Sequence, residues 1–448
     1  MKIDNFDNTM ICENDEFESV LSFFKENREI PEYIELSILK IVSKKMGLQD
    51  CYTIKEYLNN LPKDFVDYII STISRMYGNN FQVNYNNRHL PYLMYYLPTN
   101  IFKVWKPLLD LQTRDLLKAK VEILDVGTGP GSVPIGIIEY YKSLAVCFKE
   151  IEFALEFTLI EKEIEFMDIA NKMINEYTNN LPENLHVKIV NQYHALVSGK
   201  NNYDFLGTYD MVIMSNFLAS GEELNQENAY DIIRNFKSNI KKDGSLIVIE
   251  PADKRNCIPL KRLRNNVVNN RDLNVYSPCI GVWEIKENYS CECFNMVRSY
   301  WKLPKIYEFL LKKGLCKGKR SDVPFNYIIF RKDNKKKYDI IKNQKHFVKL
   351  CDLKDYLSKK VNVIAIIRTV IYKQETDIVK IALCDGTIFC TDFEAVWIEV
   401  TKKSLNDMGI NIPLIAAERI KLNGVTVKAC NKDIYLIVDR NTRIRVEY

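Results

Sequence analysis

The chain has 448 residues, 47% hydrophobic and 27% charged, with a formal net charge of +5. That balance excludes a largely disordered chain and leaves room for two or three domains with full cores. No apolar run reaches the length of a membrane span, and the opening MKIDNFDN is too acidic for a secretory signal, so a cytoplasmic protein is expected.

Residues 1–115 read as a helical region. Segments 17–24, 33–46 and 65–76 carry apolar residues near a 3.6-residue spacing. The aromatic-rich run RHLPYLMYYLPTNIFKVWKPLLDL, 88–111, reads as a helical cap on the following domain, or as a face for substrate or RNA.

From residue 121 strands alternate with helices. Strands are predicted at 121–126, 153–160, 186–190, 209–214 and 245–249, the last entered through a turn at Lys242, Asp243 and Gly244. Helices are predicted at 133–141, 164–177 and 227–240. This alternation predicts an α/β fold with a parallel, doubly wound sheet over 116–335. Ligands of such sheets bind at the carboxyl ends of the strands.

The best-defined stretch is VEILDVGTGPGS, 121–132. A buried strand breaks into Gly127, Gly129 and Gly131 and then into an apolar helix. Glycines allow positive φ and close backbone approach, and the helix start presents free N–H groups, so the stretch forms a cradle for a nucleotide-like ligand. The spacing is G-x-G-x-G, not the G-x-G-x-x-G of dinucleotide sites, and no phosphate-loop Lys-Ser or Lys-Thr pair follows.

After residue 250 the pattern becomes irregular and basic. Segment 254–271 holds six basic residues and no acidic one, 312–320 holds five and none, and Lys335, Lys336 and Lys337 follow. Such clusters point to an anionic partner, or to solvated faces. Twelve cysteines in a reducing compartment are not expected to form disulfides. Cys279, Cys291 and Cys293 lie in a polar insertion, about 254–320, where three or four thiolates suit an iron–sulfur cluster or zinc; Cys316 or Cys257 would be the fourth ligand. Inert thiols are the alternative.

Segment 325–331 reads as a strand returning to the sheet. Beyond a Lys-rich linker, strands at 361–372, 378–383, 394–400, 424–429 and 434–439, with turns at Asp385-Gly386 and Asn423-Gly424, predict a small barrel over 345–448 of the oligonucleotide-binding (OB) type; another small barrel would fit the pattern nearly as well. Its Arg368, Tyr372, Lys373, Trp397, Arg440, Arg443 and Arg445 are candidate RNA contacts, with Trp397 also a candidate core residue.

The run Asp125-Val126-Gly127-Thr128-Gly129-Pro130-Gly131 resembles the first motif of class I S-adenosylmethionine-dependent methyltransferases, a Rossmann-like α/β fold. The resemblance implies that this run contacts the cofactor and that Glu161 accepts the ribose hydroxyls. It places Asn191 and Gln192 near the adenine, and Ser215 and Asn216 toward the transferred methyl. The proline-rich run that amino-group methylation of bases uses after the fourth strand is absent, and so is the cysteine that carbon-5 methylation needs there; Asn216 either holds an acceptor amine or braces its loop.

With the flanks YLMYYLPTNIFKV, IEP, SPCIGVWEIKENYSCECF, VPFNYIIFRKD, LCDGT and DRNTRIRV included, the chain is similar to methyltransferase-like assembly factors of the mitochondrial small ribosomal subunit and, more so, to their archaeal relatives. That similarity implies binding to small-subunit ribosomal RNA or a pre-ribosomal particle, and a [4Fe-4S] cluster held by the cysteines. The family's Cys-Pro-His loop is missing, since Ile280 and Gly281 follow Cys279. Neither a membrane nor DNA is expected as partner, and the oligomeric state is left open. Three functions follow: a methyltransferase for ribosomal RNA, a non-catalytic RNA-binding assembly factor with a structural iron–sulfur or zinc site, or a methyltransferase for tRNA, protein or a small molecule.

Overall fold

The computed structural model describes residues 1–4, 8–13, 16, 19–20, 22, 29–76, 89–219, 225–278, 281–283, 290, 296–297, 302–315, 323–342, 346–372, 376–388, 395–410 and 416–447. The chain divides into two compact units. The first joins Met1–Ser198, Gly207–Glu222 and Tyr300–Val323; the second joins Gly199–Leu206, Glu223–Ser299 and Pro324–Tyr448.

The first unit opens with a short antiparallel pair, Lys2–Ile3 against Met10–Ile11, in a region read as helical; helices α1 (Glu32–Lys45), α2 (Ile54–Asn60) and α3 (Lys63–Met76) follow. Helix α2 was not anticipated. It is set by a capping box, in which the Thr53 side chain accepts from the Glu56 N–H and the Glu56 carboxylate reaches back to the Thr53 N–H. Of the predicted helix at 17–24, residues 19, 20 and 22 are described and helical, and the others lie outside the described residues. The aromatic cap is helical throughout: His89–Pro91, a π-turn at Tyr92–Tyr96, Leu97–Asn100, a 3₁₀ turn at Ile101–Val104 and then α4 (Trp105–Gln112).

Four strands follow: β1 (Lys120–Val126), β2 (Phe153–Glu161), β3 (Leu185–His194) and β4 (Tyr209–Ser215). They lie in the order β3-β2-β1-β4, all parallel, with Asp125 beside both Leu159 and Ile213. Helices α5 (Ser132–Cys147) and α6 (Ile164–Thr178) are the crossovers after β1 and β2. Strand β1 buries its last four residues, as expected where helices cover both faces. Helix α5 meets the aromatic cap at Gly136: the Trp105 indole N–H donates to the Gly136 carbonyl at 2.8 Å, and a Cβ there would come within 1.9 Å of the Ile101 carbonyl oxygen.

Strand β3 runs longer than its apolar core predicts. Asn191 and Gln192 continue the ladder beside Thr158 and Leu159, past a register shift after Phe157.

The second unit contains α7 (Gln226–Phe236), β5 (Ile240–Pro251), α8 (Lys254–Asn269), β6 (Asn274–Ser277) and β7 (Phe325–Arg331), with β7 antiparallel to β5 and to β6. Two expectations change here. Lys242, Asp243 and Gly244 form no turn but lie within β5, where the Asp243 carbonyl accepts from the Arg331 guanidinium at 2.6 Å and the Ile240 carbonyl accepts from Lys332. The stretch after residue 253, read as irregular, opens with a sixteen-residue helix, α8. Asp253 caps it by accepting from the Asn256 N–H at 3.1 Å.

The carboxyl-terminal part is a closed barrel. Strands β8 (Lys360–Tyr372), β9 (Ile378–Cys384), β10 (Val396–Thr401), β11 (Arg419–Cys430) and β12 (Asp433–Ile437) follow the order β8-β9-β10-β12-β11, and β11 returns to β8. Strands β10 and β12 are parallel, and the other pairs are antiparallel. Helix α9 (Lys402–Asp407) follows β10, and β13 (Arg443–Glu447) adds to β11. This five-stranded closed barrel is consistent with the OB-like expectation. Asn423-Gly424 is not a turn: Gly424, at φ +76°, lies inside the long strand β11, beside a register shift in β8. Closure leaves few strand edges open, which matters because open edges recruit other strands.

Among the described residues no helix is long and apolar enough to cross a membrane.

Candidate functional site

The carboxyl ends of β1, β2 and β4 converge on the glycine loop. The Gly127 and Thr128 N–H groups donate to the Ile160 carbonyl at 2.8 and 3.0 Å, which ties the loop to the end of β2. Gly127, Gly129 and Gly131 have φ of +75°, +55° and +96°, a region that side-chain-bearing residues enter only with strain. Gly131 caps α5, so the first turn of that helix aims its N–H groups at the loop.

Two carboxylates flank this cradle. Glu161, the last residue of β2, is 7% exposed; it accepts from the Gly129 N–H at 2.8 Å and from the Glu163 N–H at 3.0 Å. Burial pushes its pKa up, and these backbone donors work against the rise. Asp125, near the end of β1, is 1% exposed, and neither carboxylate oxygen has a well-formed hydrogen bond among the described residues. Burial, aided by nearby Glu161 and opposed by the Thr128 hydroxyl, pushes Asp125 up to about 7. An unpartnered buried carboxylate beside a backbone cradle is the donor set that a cationic, hydroxyl-bearing nucleoside would complete.

The segment after β4 forms the third wall. Ser215 ends the strand, and Asn216 adopts φ +50°, the left-handed region that asparagine enters more readily than other residues with a Cβ. Its Nδ2 donates to the Ser215 hydroxyl at 3.2 Å, and its Oδ1 accepts from the Lys103 ammonium at 3.4 Å. Phe217 lies over the loop, such that a Cβ at Gly127 would come within 2.4 Å of its ring. Sequence reasoning missed Lys103, although a lone cation inside the apolar run Asn100 to Trp105 was a usable signal.

Asn191 and Gln192 are placed differently from these. The Gln192 amide exchanges two hydrogen bonds of 2.8 Å with Asn171 on α6. The residue level with Glu161 in the ladder is His194.

No family model matches this chain, and no curated protein does. Solved structures that resemble it include class I S-adenosylmethionine-dependent methyltransferases. A putative one from Listeria monocytogenes is 12% identical over 74% of this chain and 93% of its own, with a TM-score of 0.33. The plantazolicin methyltransferase BpumL, solved with SAH, is 14% identical over 70% of this chain and 99% of its own, with a TM-score of 0.28. The p204 HINb domain matches 22% of this chain at 11% identity, with a TM-score of 0.19, and the match spans about half of that protein, 47%.

Cys279, Cys291, Cys293 and Cys316 lie outside the described residues. Among the described residues no group of three or more His, Cys, Asp or Glu is placed to hold a metal. Cys257 is buried in α8, and burial pushes its thiol up to about 12.

The basic segments are only partly surface. Lys261 and Arg264 of the first cluster are buried, and so is Lys337, in an ion pair of 2.5 Å with Glu418. On the barrel, Arg440, Arg443 and Arg445 are exposed, whereas Arg368 is buried. Lys373 and the Tyr372 side chain lie outside the description. Trp397 is half-buried, across the ladder from Tyr435. The Lys380 ammonium sits 4.3 Å from the Trp397 ring centre and 4.8 Å from that of Tyr435.

Proposed function

We propose that this chain binds S-adenosylmethionine at the glycine loop and acts on, or assembles around, small-subunit ribosomal RNA. The observation that carries the cofactor reading is the unpartnered Asp125 carboxylate beside three left-handed glycines, with Glu161 closing the far side. Bound there, the cofactor would supply an electrophilic methyl group. Glu161 retains lone pairs for ribose hydroxyls beyond its two backbone donors, and Asp125 offers a carboxylate to the cofactor's positive charge. The acceptor would enter past Ser215, Asn216 and Phe217.

RNA as partner is supported by the barrel, where Trp397 and Tyr435 share one face with Lys380, and by the exposed Arg440, Arg443 and Arg445. Such groups stack unpaired bases and contact phosphates. A [4Fe-4S] cluster or zinc on Cys279, Cys291, Cys293 and Cys316 is part of the same proposal. Its support is the resemblance of the cysteine-bearing insertion to that of the assembly factors; anaerobic purification should give a brown protein for a cluster, and a folded, metal-free sample would remove the claim.

A second reading, a non-catalytic assembly factor, is favoured by one observation: the Asn216 carbonyl oxygen, which could orient an acceptor amine, already accepts from Lys103. Calorimetry with S-adenosylmethionine tests the pocket. Binding should vanish in Gly127→Arg and weaken at least tenfold in Glu161→Ala; binding indifferent to both would remove the assignment. Mapping ribosomal RNA modification with and without the protein then separates enzyme from assembly factor.

A further inference from the structure

The second unit contains a cleft of ≈ 660 Å³ between the loop Gly199–Leu206, helix α7 with the residues that follow it, and the end of β7. Its walls are fixed by buried or paired amides. The Asn235 side chain donates to the carbonyls of Gly199 and Asn201 at 2.8 and 2.7 Å, strapping the loop to α7. The Gly199 N–H donates to the Asn228 side chain at 3.0 Å, and a Cβ on Gly199 would come within 2.6 Å of Asp231. The buried Asn239 amide donates to the Tyr203 carbonyl at 2.8 Å, and the Tyr203 ring stacks on Phe236 at 4.4 Å.

Every side chain that lines the cleft is polar or charged, with four cations, Lys200, Arg234, Lys237 and Lys332, against one carboxylate, Asp204. The nearby acids are already engaged. Asp204 accepts from Asn202 at 2.9 Å, Asp272 is shared by Lys237 at 3.2 Å and Tyr230 at 2.6 Å, and Asp231 holds Arg234 at 3.2 Å. Lys332 sits partly buried with its ammonium donating to the Ile240 carbonyl, and both burial and the Lys237 charge hold its pKa below the ordinary lysine range. Lys332 donates to a neutral carbonyl and Lys237 to a single oxygen of an Asp272 shared with Tyr230, so an anion with several acceptor oxygens would relieve the repulsion between the two ammonium groups. No aromatic or apolar side chain lines the cleft, so it offers nothing to a nucleobase.

We propose that this cleft binds phosphate groups, with Lys237 and Lys332 as direct ligands and Arg234 at the rim. The site does not depend on the methyltransferase reading, because none of its residues belongs to the glycine-loop cradle. The phosphate could belong to an RNA backbone or to a free polyphosphate.

The test is calorimetric titration of the full chain with inorganic tripolyphosphate and, separately, with a short single-stranded RNA. Tripolyphosphate should bind, and Lys237→Met and Lys332→Met should each weaken it about tenfold, the loss of one charge-assisted contact, with thermal melting confirming both variants folded. If Lys332→Met melts early, Lys237→Met and Arg234→Gln decide. RNA that competes with tripolyphosphate identifies the backbone as the source; RNA that does not compete identifies a free phosphate compound. Absence of tripolyphosphate binding, or binding unchanged in the folded variants, overturns the proposal.

Discussion

Asp125 has an electrostatic signature that can be measured without any ligand. Its pKa near 7 lies above that of an unfolded aspartate, about 3.9. Between those values the native state holds a proton that the unfolded chain has lost, so stability falls as pH rises from about 4 to about 7. The loss is at most about 4 kcal/mol, at 1.36 kcal/mol per pKa unit. Asp125→Asn should flatten this part of the stability profile and leave the ligand-free protein more stable than wild type above pH 7; melting temperatures across pH check it. Gly136 makes a second residue-scale prediction. Alanine is ordinarily the better helix former, but here its Cβ would strike the Ile101 carbonyl. Gly136→Ala should therefore destabilise by about 1–3 kcal/mol in urea unfolding.

Among the elements, helix Lys305–Lys312 depends on a residue far away in sequence. Its N-cap, Pro304, makes no side-chain cap, and the Ile306 N–H instead donates to the Glu35 carboxylate of α1 at 2.8 Å. Burial outweighs that donor and pushes Glu35 up to about 7. Glu35→Ala should cost about 1–3 kcal/mol by orphaning the N–H. Glu35→Gln keeps an acceptor without the buried charge and, by the same linkage, should be more stable than wild type at pH 8. Chemical denaturation of the pair distinguishes a cap from mere bulk.

These cases explain what was legible in the sequence. Strands β1, β2 and β4 and the strand Phe325–Arg331 announced themselves because a strand buried on both faces leaves a short, nearly continuous apolar run, whereas β3 is largely exposed beyond Leu185 and showed only its short apolar start. The glycine spacing and Glu161 identified the cradle because backbone geometry restricts those positions. Helix α8 did not announce itself, because its basic residues and Pro259 mask a helix whose Lys261 and Arg264 point inward. Asn423-Gly424 carries a turn signal that the barrel overrides, using the glycine's positive φ for a kink inside β11. Lys103 and Phe217 reach the site through tertiary packing, which no local pattern encodes.

At the scale of the whole molecule, the barrel is tied to the segment that precedes it. Lys337 and Glu418 form a buried ion pair, and the Tyr338 hydroxyl donates to Glu418 and, at 2.7 Å, to the Glu447 carbonyl. Removing one partner strands a charge in a low-dielectric interior. Lys337→Met should cost about 3–5 kcal/mol, and adding Glu418→Gln should recover much of it; calorimetric unfolding of the single and double variants reads both. On the outer face of the same barrel, Trp397→Ala should weaken binding of single-stranded RNA by about 1–3 kcal/mol. Wild-type affinity should fall steeply with salt. A flat salt response, or equal binding by the variant, counts against the barrel as the RNA face.

The Glu161 carboxylate, held by the Gly129 and Glu163 N–H groups, has a kinetic meaning. It fixes the glycine loop before any ligand arrives, so little backbone freedom remains to be lost on binding. On the proposed cofactor reading, association would need no slow rearrangement of the loop, and competing nucleosides would meet the same preformed cradle. Selectivity among them should lie in residence time, in how quickly each one leaves rather than how quickly it arrives.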